Sequence, residues 1–81
     1  MKYIVYVLSS LTTKKSYVGY TDSLSRRLLE HNSRHNYYTK RHVPWKIIHT
    51  EEYESLEDAI AREKYLKSAS GRRLVLKKLF S

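Results

Sequence analysis

Two ionisable side chains share one face of a helix that the sequence predicts over residues 23–34. Arg27 and His31 are four positions apart, so a helix places them next to each other on its surface. A histidine on an apolar face is more often a hydrogen-bonded core residue than a catalyst, but a guanidinium beside it is a group that neutralises phosphoryl oxygens. The apolar face is formed by Leu24, Leu28, His31 and His35.

A carboxylate occupies an equally unexpected position on a second predicted helix, over residues 56–68. Glu63 follows Leu56 by seven positions and Ile60 by three, so it lies on the apolar face of this helix. An ionised carboxylate among core positions is unfavourable unless it is paired or binds a metal ion. A salt bridge, or a face edge that reaches solvent, is the structural alternative. The apolar face comprises Leu56, Ala59, Ile60 and Leu66.

These groups fit a phosphate site better than they fit other chemistries. Arg, His and Glu that converge beside a sheet would neutralise a phosphate, move a proton and hold a divalent cation. The chain has no cysteine, which excludes a disulfide framework, a cysteine zinc site and a thiol nucleophile. Gly19 and Gly71 are the only glycines, so neither common glycine-rich phosphate loop is present. The acidic residues of segment 51–58 are expected to be exposed, which favours one metal ion over two.

Turn and capping residues mark where the helices begin and end. Asp22 or Ser23 is the expected N-cap of the first helix. Ser55, with Asp58 three residues later, forms a capping box for the second helix. Ser70-Gly71 is predicted to end that helix, and a short basic helix follows. The apolar residues of this last helix are Leu74, Val75, Leu76 and Leu79.

The elements that position the candidate site follow from hydrophobic periodicity. β-branched and aromatic residues predict three strands, and apolar spacing predicts three helices. We therefore expect one α+β domain over residues 1–81, with a three-stranded antiparallel sheet flanked by helices in the order β-β-α-β-α-α. The predicted strands cover residues 3–8, 16–20 and 45–53, and the predicted helices residues 23–34, 56–68 and 72–80.

The charge of the chain favours a polyanionic partner. Sixteen Lys and Arg against eight Asp and Glu give a net charge of +8. Basic side chains displace counterions condensed on phosphates, so nucleic acid is the expected partner, although a solvated basic surface is the simpler alternative. Tyr37 and Tyr38 are candidates for stacking on an unpaired base. The basic residues expected to hold the phosphate backbone are Lys40, Arg41, Arg72, Arg73, Lys77 and Lys78.

Membrane insertion is not expected for this chain. No apolar run approaches the roughly 20 residues that cross a bilayer. The N-terminal segment has a single Lys2 and no small-residue cleavage site after its apolar stretch, so a signal peptide is not expected either. A cytoplasmic location without a membrane partner, and a monomeric state, are the default expectations.

The residues that carry this chemistry resemble the GIY-YIG nuclease family. Tyr6 lies on the first predicted strand, and Tyr17-Val18-Gly19 begins eleven residues later on the second. Arg27 follows Tyr17 by ten positions and His31 follows it by fourteen, while Glu63 lies on a later helix. The resemblance covers nearly the whole chain. It is strongest with short standalone bacterial members, for which the segments Tyr-Val-Gly-Tyr-Thr-Asp and Ala-Arg-Glu-Lys are typical.

The resemblance implies a role for each of these residues. Glu63 would be the sole protein ligand of a Mg²⁺ or Mn²⁺ ion, and Arg27 would stabilise charge on the pentavalent phosphorane. Tyr6 and Tyr17 would line the site. The general base would be Tyr6 by analogy, with Tyr17 and His31 as alternatives. Gly19 would allow the backbone to approach the phosphate or to pack against the helix.

The sequence thus predicts a metal-dependent endonuclease that hydrolyses phosphodiester bonds in nucleic acid. DNA of a particular structure is expected ahead of a long specific sequence, because a chain of 81 residues has room for only one domain. DNA repair or recombination is the expected context. A non-catalytic nucleic-acid-binding module is the main alternative, and a subunit that needs a protein partner for nuclease activity is another. The presence of a complete set of site residues favours the enzyme.

Overall fold

A three-stranded antiparallel sheet forms the centre of the fold. The computed structural model describes residues 2–33 and 37–80, so His35, which the sequence places on the first helix, lies outside the described residues. The sheet has the strand order 2-1-3, and the predicted succession of strands and helices is confirmed. The elements are β1 (Tyr3–Ser10), β2 (Ser16–Thr21), α1 (Leu24–Asn32), a 3₁₀ helix (Thr39–His42), β3 (Trp45–Tyr53), α2 (Leu56–Lys67) and a C-terminal helix over residues 69–79.

The central strand β1 contributes alternate side chains to two different packed faces. Successive residues of a strand point to opposite sides of the sheet. Val5 and Val7 pack into an apolar core with α2 and the C-terminal helix. Tyr6 and Leu8 lie on the opposite face, where they pack with Trp45 and residues of α1. The buried members of the apolar core are Val5, Val7, Val18, Ala59, Leu66 and Leu76.

The starts of the two main helices are capped in different ways. Ser55 is the N-cap of α2, and its side chain accepts a hydrogen bond from the amide of Asp58 at 3.4 Å, which confirms the predicted N-cap and one of the two bonds of a capping box. Ser23 is the N-cap of α1, but its own side chain makes no capping hydrogen bond. The amide of Ser23 instead donates to the hydroxyl of Thr21 at 3.0 Å. The entry into α1 is therefore held by a side chain at the end of β2.

The break after α2 lies at Ser68, and the predicted break at Ser70-Gly71 is wrong. Ser68 has extended backbone angles (φ −74°, ψ 165°), and its hydroxyl accepts from the amide of Gly71 at 3.1 Å. Gly71 is helical and buried. A β-carbon at Gly71 would overlap the carbonyl oxygen of Tyr65 and lie 2.8 Å from Cα of Leu66. This glycine therefore permits close approach of two successive helices and does not serve as a helix stop.

Two leucines that the sequence assigned to apolar faces are exposed. Leu56, in the first turn of α2, is 41% exposed, and Leu74 is 52% exposed. Residues Arg72–Leu76 of the C-terminal helix form a π-type turn, which rotates side chains away from the 3.6-residue spacing that the prediction assumed. Val75, Leu76 and Leu79 do pack against the core, as predicted. Within the two described ranges, no helix has the length and apolar character needed to cross a membrane.

An ion pair joins α2 to the sheet. The guanidinium of Arg62 binds both carboxylate oxygens of Glu51, at 2.9 and 3.0 Å. His49 and Tyr53 also contact this carboxylate, at 2.8 and 2.7 Å. Burial opposes ionisation of Glu51, but the hydrogen bonds from Arg62, His49 and Tyr53 outweigh it and lower the pKa to about 2. Glu51 is thus a structural residue, and its assignment to an exposed acidic cluster is wrong.

Candidate active site

A buried hydrogen bond links the central strand to the last turn of α1. The hydroxyl of Tyr6 lies 3.0 Å from Nε2 of His31. Tyr6 is 1% exposed and His31 is 2% exposed. The alternation of β1 directs Tyr6 away from the apolar core, and the helical spacing of α1 directs His31 towards the same face of the sheet. His31 is therefore a satisfied core residue that is also bonded to a candidate catalytic group.

The second nitrogen of the His31 ring is held by Thr39. Nδ1 of His31 lies 3.1 Å from the Thr39 hydroxyl, and Trp45 Nε1 donates to the Thr39 carbonyl at 2.9 Å. Burial, assisted by the charge of Arg27, lowers the pKa of His31, so the imidazole is neutral at pH 7. A neutral imidazole has one donor and one acceptor nitrogen. Whether the Thr39 hydroxyl donates to Nδ1 or accepts from it therefore decides whether Nε2 accepts from Tyr6 or donates to it. Thr39 lies in a segment without periodicity, and no sequence signal identified it.

Tyr17 and Gly19 of β2 complete the aromatic side of the site. The Tyr17 ring stacks on Tyr6 with ring centres 6.3 Å apart, and its centre lies 4.6 Å from that of His31. Gly19 pairs with Tyr6 across the two strands. A β-carbon at Gly19 would lie 2.5 Å from the Tyr6 hydroxyl oxygen and 2.7 Å from Cζ. The space beside Gly19 is therefore filled by the Tyr6 ring, whereas the sequence had suggested a phosphate or a helix there.

Arg27 is the exposed member of the site. Its side chain is 44% exposed and forms an ion pair with Glu30 at 2.9 Å, which fixes the guanidinium at the surface of α1. Burial is the largest cause that raises the pKa of Tyr6, to about 12, and Tyr17 and, more weakly, Glu63 add to the increase. The charge of Arg27 and its hydrogen bond to Tyr6 act in the opposite direction. Both Arg27 and Glu63 are therefore close enough to Tyr6 to alter its ionisation.

Glu63 extends from α2 towards the same group of residues. Its side chain is 15% exposed and lies 3.5 Å from Nζ of Lys67, one helical turn later. The Lys67 ammonium is 5.8 Å from the centre of the Tyr17 ring. The salt bridge that sequence reasoning offered as the alternative explanation of Glu63 is thus present. Of the five residues predicted to be catalytic, Tyr6, Tyr17 and His31 are in direct contact, and the charges of Arg27 and Glu63 act on Tyr6.

The donor atoms at this position suit a hard divalent cation. Across residues 2–33 and 37–80, no group of three His, Cys, Asp or Glu side chains is arranged to hold a metal ion. A zinc site of the usual kind is therefore not formed by these residues. Mg²⁺ often uses only one or two carboxylates and completes its shell with water and substrate phosphates. The single, mostly buried carboxylate of Glu63 fits that pattern, and Mn²⁺ accepts the same oxygen donors.

The predicted nucleic-acid-binding residues lie in two segments, the 3₁₀ helix and the C-terminal helix. Lys40 and Arg41 surround the ring of Tyr37, with the Lys40 ammonium 5.0 Å from its centre and the Arg41 guanidinium 4.9 Å from it. Arg72 lines a pocket beside Tyr17. The remaining members, Arg73, Lys77 and Lys78, are exposed on the C-terminal helix.

Comparison with known protein families adds to this geometry. A family model described as the GIY-YIG catalytic domain matches residues 2–77. The chain belongs to the GIY-YIG family. The matched segment contains every residue of the candidate site, and the family resemblance inferred from the sequence is confirmed.

Several known proteins match this chain over most of its length. A UPF0213 protein from Natronomonas pharaonis is 39% identical over 67 residues, which cover 82% of this chain and 78% of that protein. A UPF0213 protein from Syntrophus aciditrophicus is 39% identical over 72 residues, which cover 85% of this chain and 80% of that protein. The solution NMR structure of a UPF0213 protein from Bacillus halodurans superposes with a TM-score of 0.59 at 27% identity, covering 96% of this chain and 85% of that chain. The fold and the family assignment therefore agree.

Proposed function

We propose that this GIY-YIG protein is a divalent-metal-dependent endonuclease that hydrolyses phosphodiester bonds in nucleic acid, with DNA of a particular structure as the expected substrate. One observation carries the proposal: the Tyr6 hydroxyl is bonded to a neutral His31 and lies close to Arg27 and Glu63. Such a group combines a proton acceptor, a cation for the phosphate and a carboxylate for a metal ion.

Arg27 binds the phosphate in this proposal. Its guanidinium is exposed, permanently charged and oriented by Glu30, so it can reach a phosphoryl oxygen without a change in the fold. Charge on the phosphoryl oxygens increases in the transition state, and a positioned cation stabilises that charge. Because the charge of Arg27 also acts on the buried Tyr6, a phosphate bound by Arg27 would lie near the Tyr6 hydroxyl.

Tyr6 and His31 act together as the proton acceptor. Both ring nitrogens of His31 already have partners, Tyr6 at Nε2 and Thr39 at Nδ1, so His31 can take up a water proton only through one of these hydroxyls. A Tyr6 phenol with a pKa of about 12 would lose its proton at pH 7 only at a cost of about 7 kcal/mol. If the Tyr6 hydroxyl takes the proton of the attacking water as it gives its own proton to Nε2 of His31, the phenol stays neutral and that cost does not arise. Of the alternatives for the general base, the geometry favours Tyr6 as the group that contacts water and His31 as the acceptor behind it.

Glu63 holds the divalent cation in this proposal. When bound, Mg²⁺ or Mn²⁺ supplies positive charge to the scissile phosphate and to the leaving 3′ oxygen. The role of Glu63 itself is to fix the position of that charge next to Tyr6. Its location on α2, which Arg62 and Glu51 attach to the sheet, makes this position rigid.

The proposal is tested by cleavage of labelled duplex, single-stranded, flapped and branched DNA, and of RNA, with Mg²⁺ or Mn²⁺. Wild type is compared with Glu63→Gln and with the matched control Glu57→Gln, an exposed carboxylate in the first turn of the same helix. We expect wild type and the control to cut in a metal-dependent way and Glu63→Gln to bind but not cut. Cleavage that survives Glu63→Gln would overturn the assignment of the site.

The exposed basic residues also support a second candidate, a nucleic-acid-binding module without turnover. Binding by wild type that weakens with salt, with no cleavage of any substrate, would establish this function instead. Cleavage that appears only when cell extract is added would indicate a nuclease subunit that depends on a protein partner.

A further inference from the structure

A pocket of about 220 Å³ lies directly beside the candidate site. Tyr17 belongs to both, because its ring centre lies 4.6 Å from that of His31 and the residue also lines the pocket. The pocket is lined by Ser16, Tyr17, Val18, Tyr38, Lys67 and Arg72.

Two cations from successive helices meet in this pocket. Lys67 is the last residue of α2, and Arg72 follows the break at Ser68. The Nε of Arg72 donates to the carbonyl oxygen of Lys67 at 3.3 Å, so the two residues are in direct contact. Among the described residues that line the pocket none is acidic, and Glu63, which pairs with Lys67 at 3.5 Å, is not one of them. Two positive charges facing one cavity create a local potential that favours an anion.

Lys67 connects the pocket to the proposed reaction centre. Its ammonium lies 3.5 Å from Oε1 of Glu63 and faces the Tyr17 ring. A phosphate bound by Lys67 would therefore lie next to the phosphate that is positioned near Glu63. Consecutive phosphates are the regular feature of a nucleic acid strand, and Lys and Arg are the side chains that contact them most often.

We propose that this pocket is a second phosphate subsite, in which Lys67 and Arg72 bind the phosphodiester adjacent to the scissile one. The subsite rests on the proposed endonuclease function and deepens it, because it requires a substrate with at least two consecutive phosphates. Arg72 was predicted from the sequence to contact the backbone, whereas Lys67 was not. The subsite shares Tyr17 with the candidate site, and Tyr17 lies on β2, an edge strand of the sheet, so the nucleic acid strand would cross that edge.

Binding without turnover is the first test. A short fluorescein-labelled oligodeoxynucleotide is titrated in EDTA at several salt concentrations with wild type, Lys67→Gln, Arg72→Gln and the control Lys64→Gln, an exposed lysine on the same helix. We expect each pocket variant to weaken binding roughly 3- to 10-fold at low salt and to reduce the slope of log affinity against log salt by about one. The control should match wild type. Pocket variants that behave like the control would overturn the subsite.

Cleavage of modified substrates then locates the phosphate. An uncharged methylphosphonate is placed next to the mapped cleavage position, on either side in separate substrates. At one of these two positions the methylphosphonate should slow cleavage by wild type and by Lys64→Gln. It should not slow the double variant Lys67→Gln, Arg72→Gln any further. Equal slowing of all three proteins would overturn the subsite while leaving the endonuclease intact. Weaker binding by the pocket variants in EDTA, with no cleavage by any protein, would overturn the endonuclease and retain the pocket as a phosphate-binding site.

Discussion

The hydroxyl of Tyr6 lies 3.0 Å from Nε2 of His31, and both side chains are almost completely enclosed. One residue comes from the middle of the sheet and the other from the last turn of a helix, so the bond fixes the position of α1 on the strand. In the proposed mechanism the two side chains form one proton-transfer unit, so their effects on activity should not be independent.

Removing either member of this pair should reduce cleavage by a similar amount. We expect Tyr6→Phe and His31→Gln each to lower the single-turnover rate by about 10²–10⁴-fold, the usual contribution of a general base. The double variant should be no slower than the worse single variant, because groups that act as a unit are non-additive. Tyr20→Phe, on the opposite face of the sheet, is the control. Losses that multiply in the double variant would show that the two residues act separately.

The lowered pKa of His31 should make the protein less stable in weak acid. Because the folded pKa lies below the ordinary value of 6.5, the unfolded chain takes up the proton first as the pH falls. The contribution of His31 to stability is therefore complete above pH 6.5 and is lost as the pH falls through the folded pKa. Urea unfolding from pH 8 to pH 5 measures this change. His31→Gln should be less stable at pH 7 and should depend less on pH across that range.

A second loss of stability is expected at lower pH, from Glu51. Its pKa is lowered from 4.5 to about 2, so its contribution is present above pH 4.5 and is lost as the pH falls towards 2. The difference between the two pKa values corresponds to at most about 3 kcal/mol. Glu51→Gln should destabilise the protein by about 2–3 kcal/mol at pH 7 and flatten the curve between pH 4.5 and 2. The exposed Glu52, changed to Gln, is the control, and an equal effect there would contradict the assignment to Glu51.

The two glycines should respond differently to alanine. Gly19→Ala forces the Tyr6 ring to move, so we expect a loss of about 1–3 kcal/mol in the free energy of unfolding and a loss of about 10²-fold in the cleavage rate. Gly71→Ala meets the backbone of Tyr65 and Leu66, which cannot rotate away, and should cost more than about 3 kcal/mol. Urea unfolding and single-turnover cleavage are measured for both. Gly19→Ala with full activity would contradict the close packing of Tyr6.

Local signals were sufficient to predict the order of the elements. The β-branched run of β1 and the capping box at Ser55 are features of short segments, and the structure places a strand and a helix start there. Tertiary contacts decided the rest. The break after α2 is at Ser68, and Gly71 packs closely against the backbone of Tyr65 and Leu66, a use of glycine that no local pattern distinguishes from a helix stop. The π-type turn over Arg72–Leu76, which no local pattern predicts, likewise exposes Leu74.

The candidate site was predictable where the sequence placed polar groups on apolar faces. Arg27, His31 and Glu63 broke the pattern of their helices, and the structure brings them to one place with Tyr6. Thr39 and Lys67 did not break any pattern, because a threonine in an irregular segment and a lysine at a helix end are ordinary. Only the three-dimensional arrangement shows that Thr39 holds His31 and that Lys67 lies beside Glu63.

Because both faces of β1 are packed, the alternation of its side chains cannot shift by one residue without exchanging the two faces. Insertion or deletion of a single residue within Tyr3–Ser10 would turn every later side chain to the other face. The Tyr6 phenol would then enter the valine core, and a valine would replace it beside His31, so folding and chemistry would fail together. The side chains over residues 11–15 are exposed and do not alternate between two packed faces, although hydrogen bonds join Leu11 and Thr12 to Pro44 and Val43. Length changes should therefore be tolerated better in that connection than in the strand.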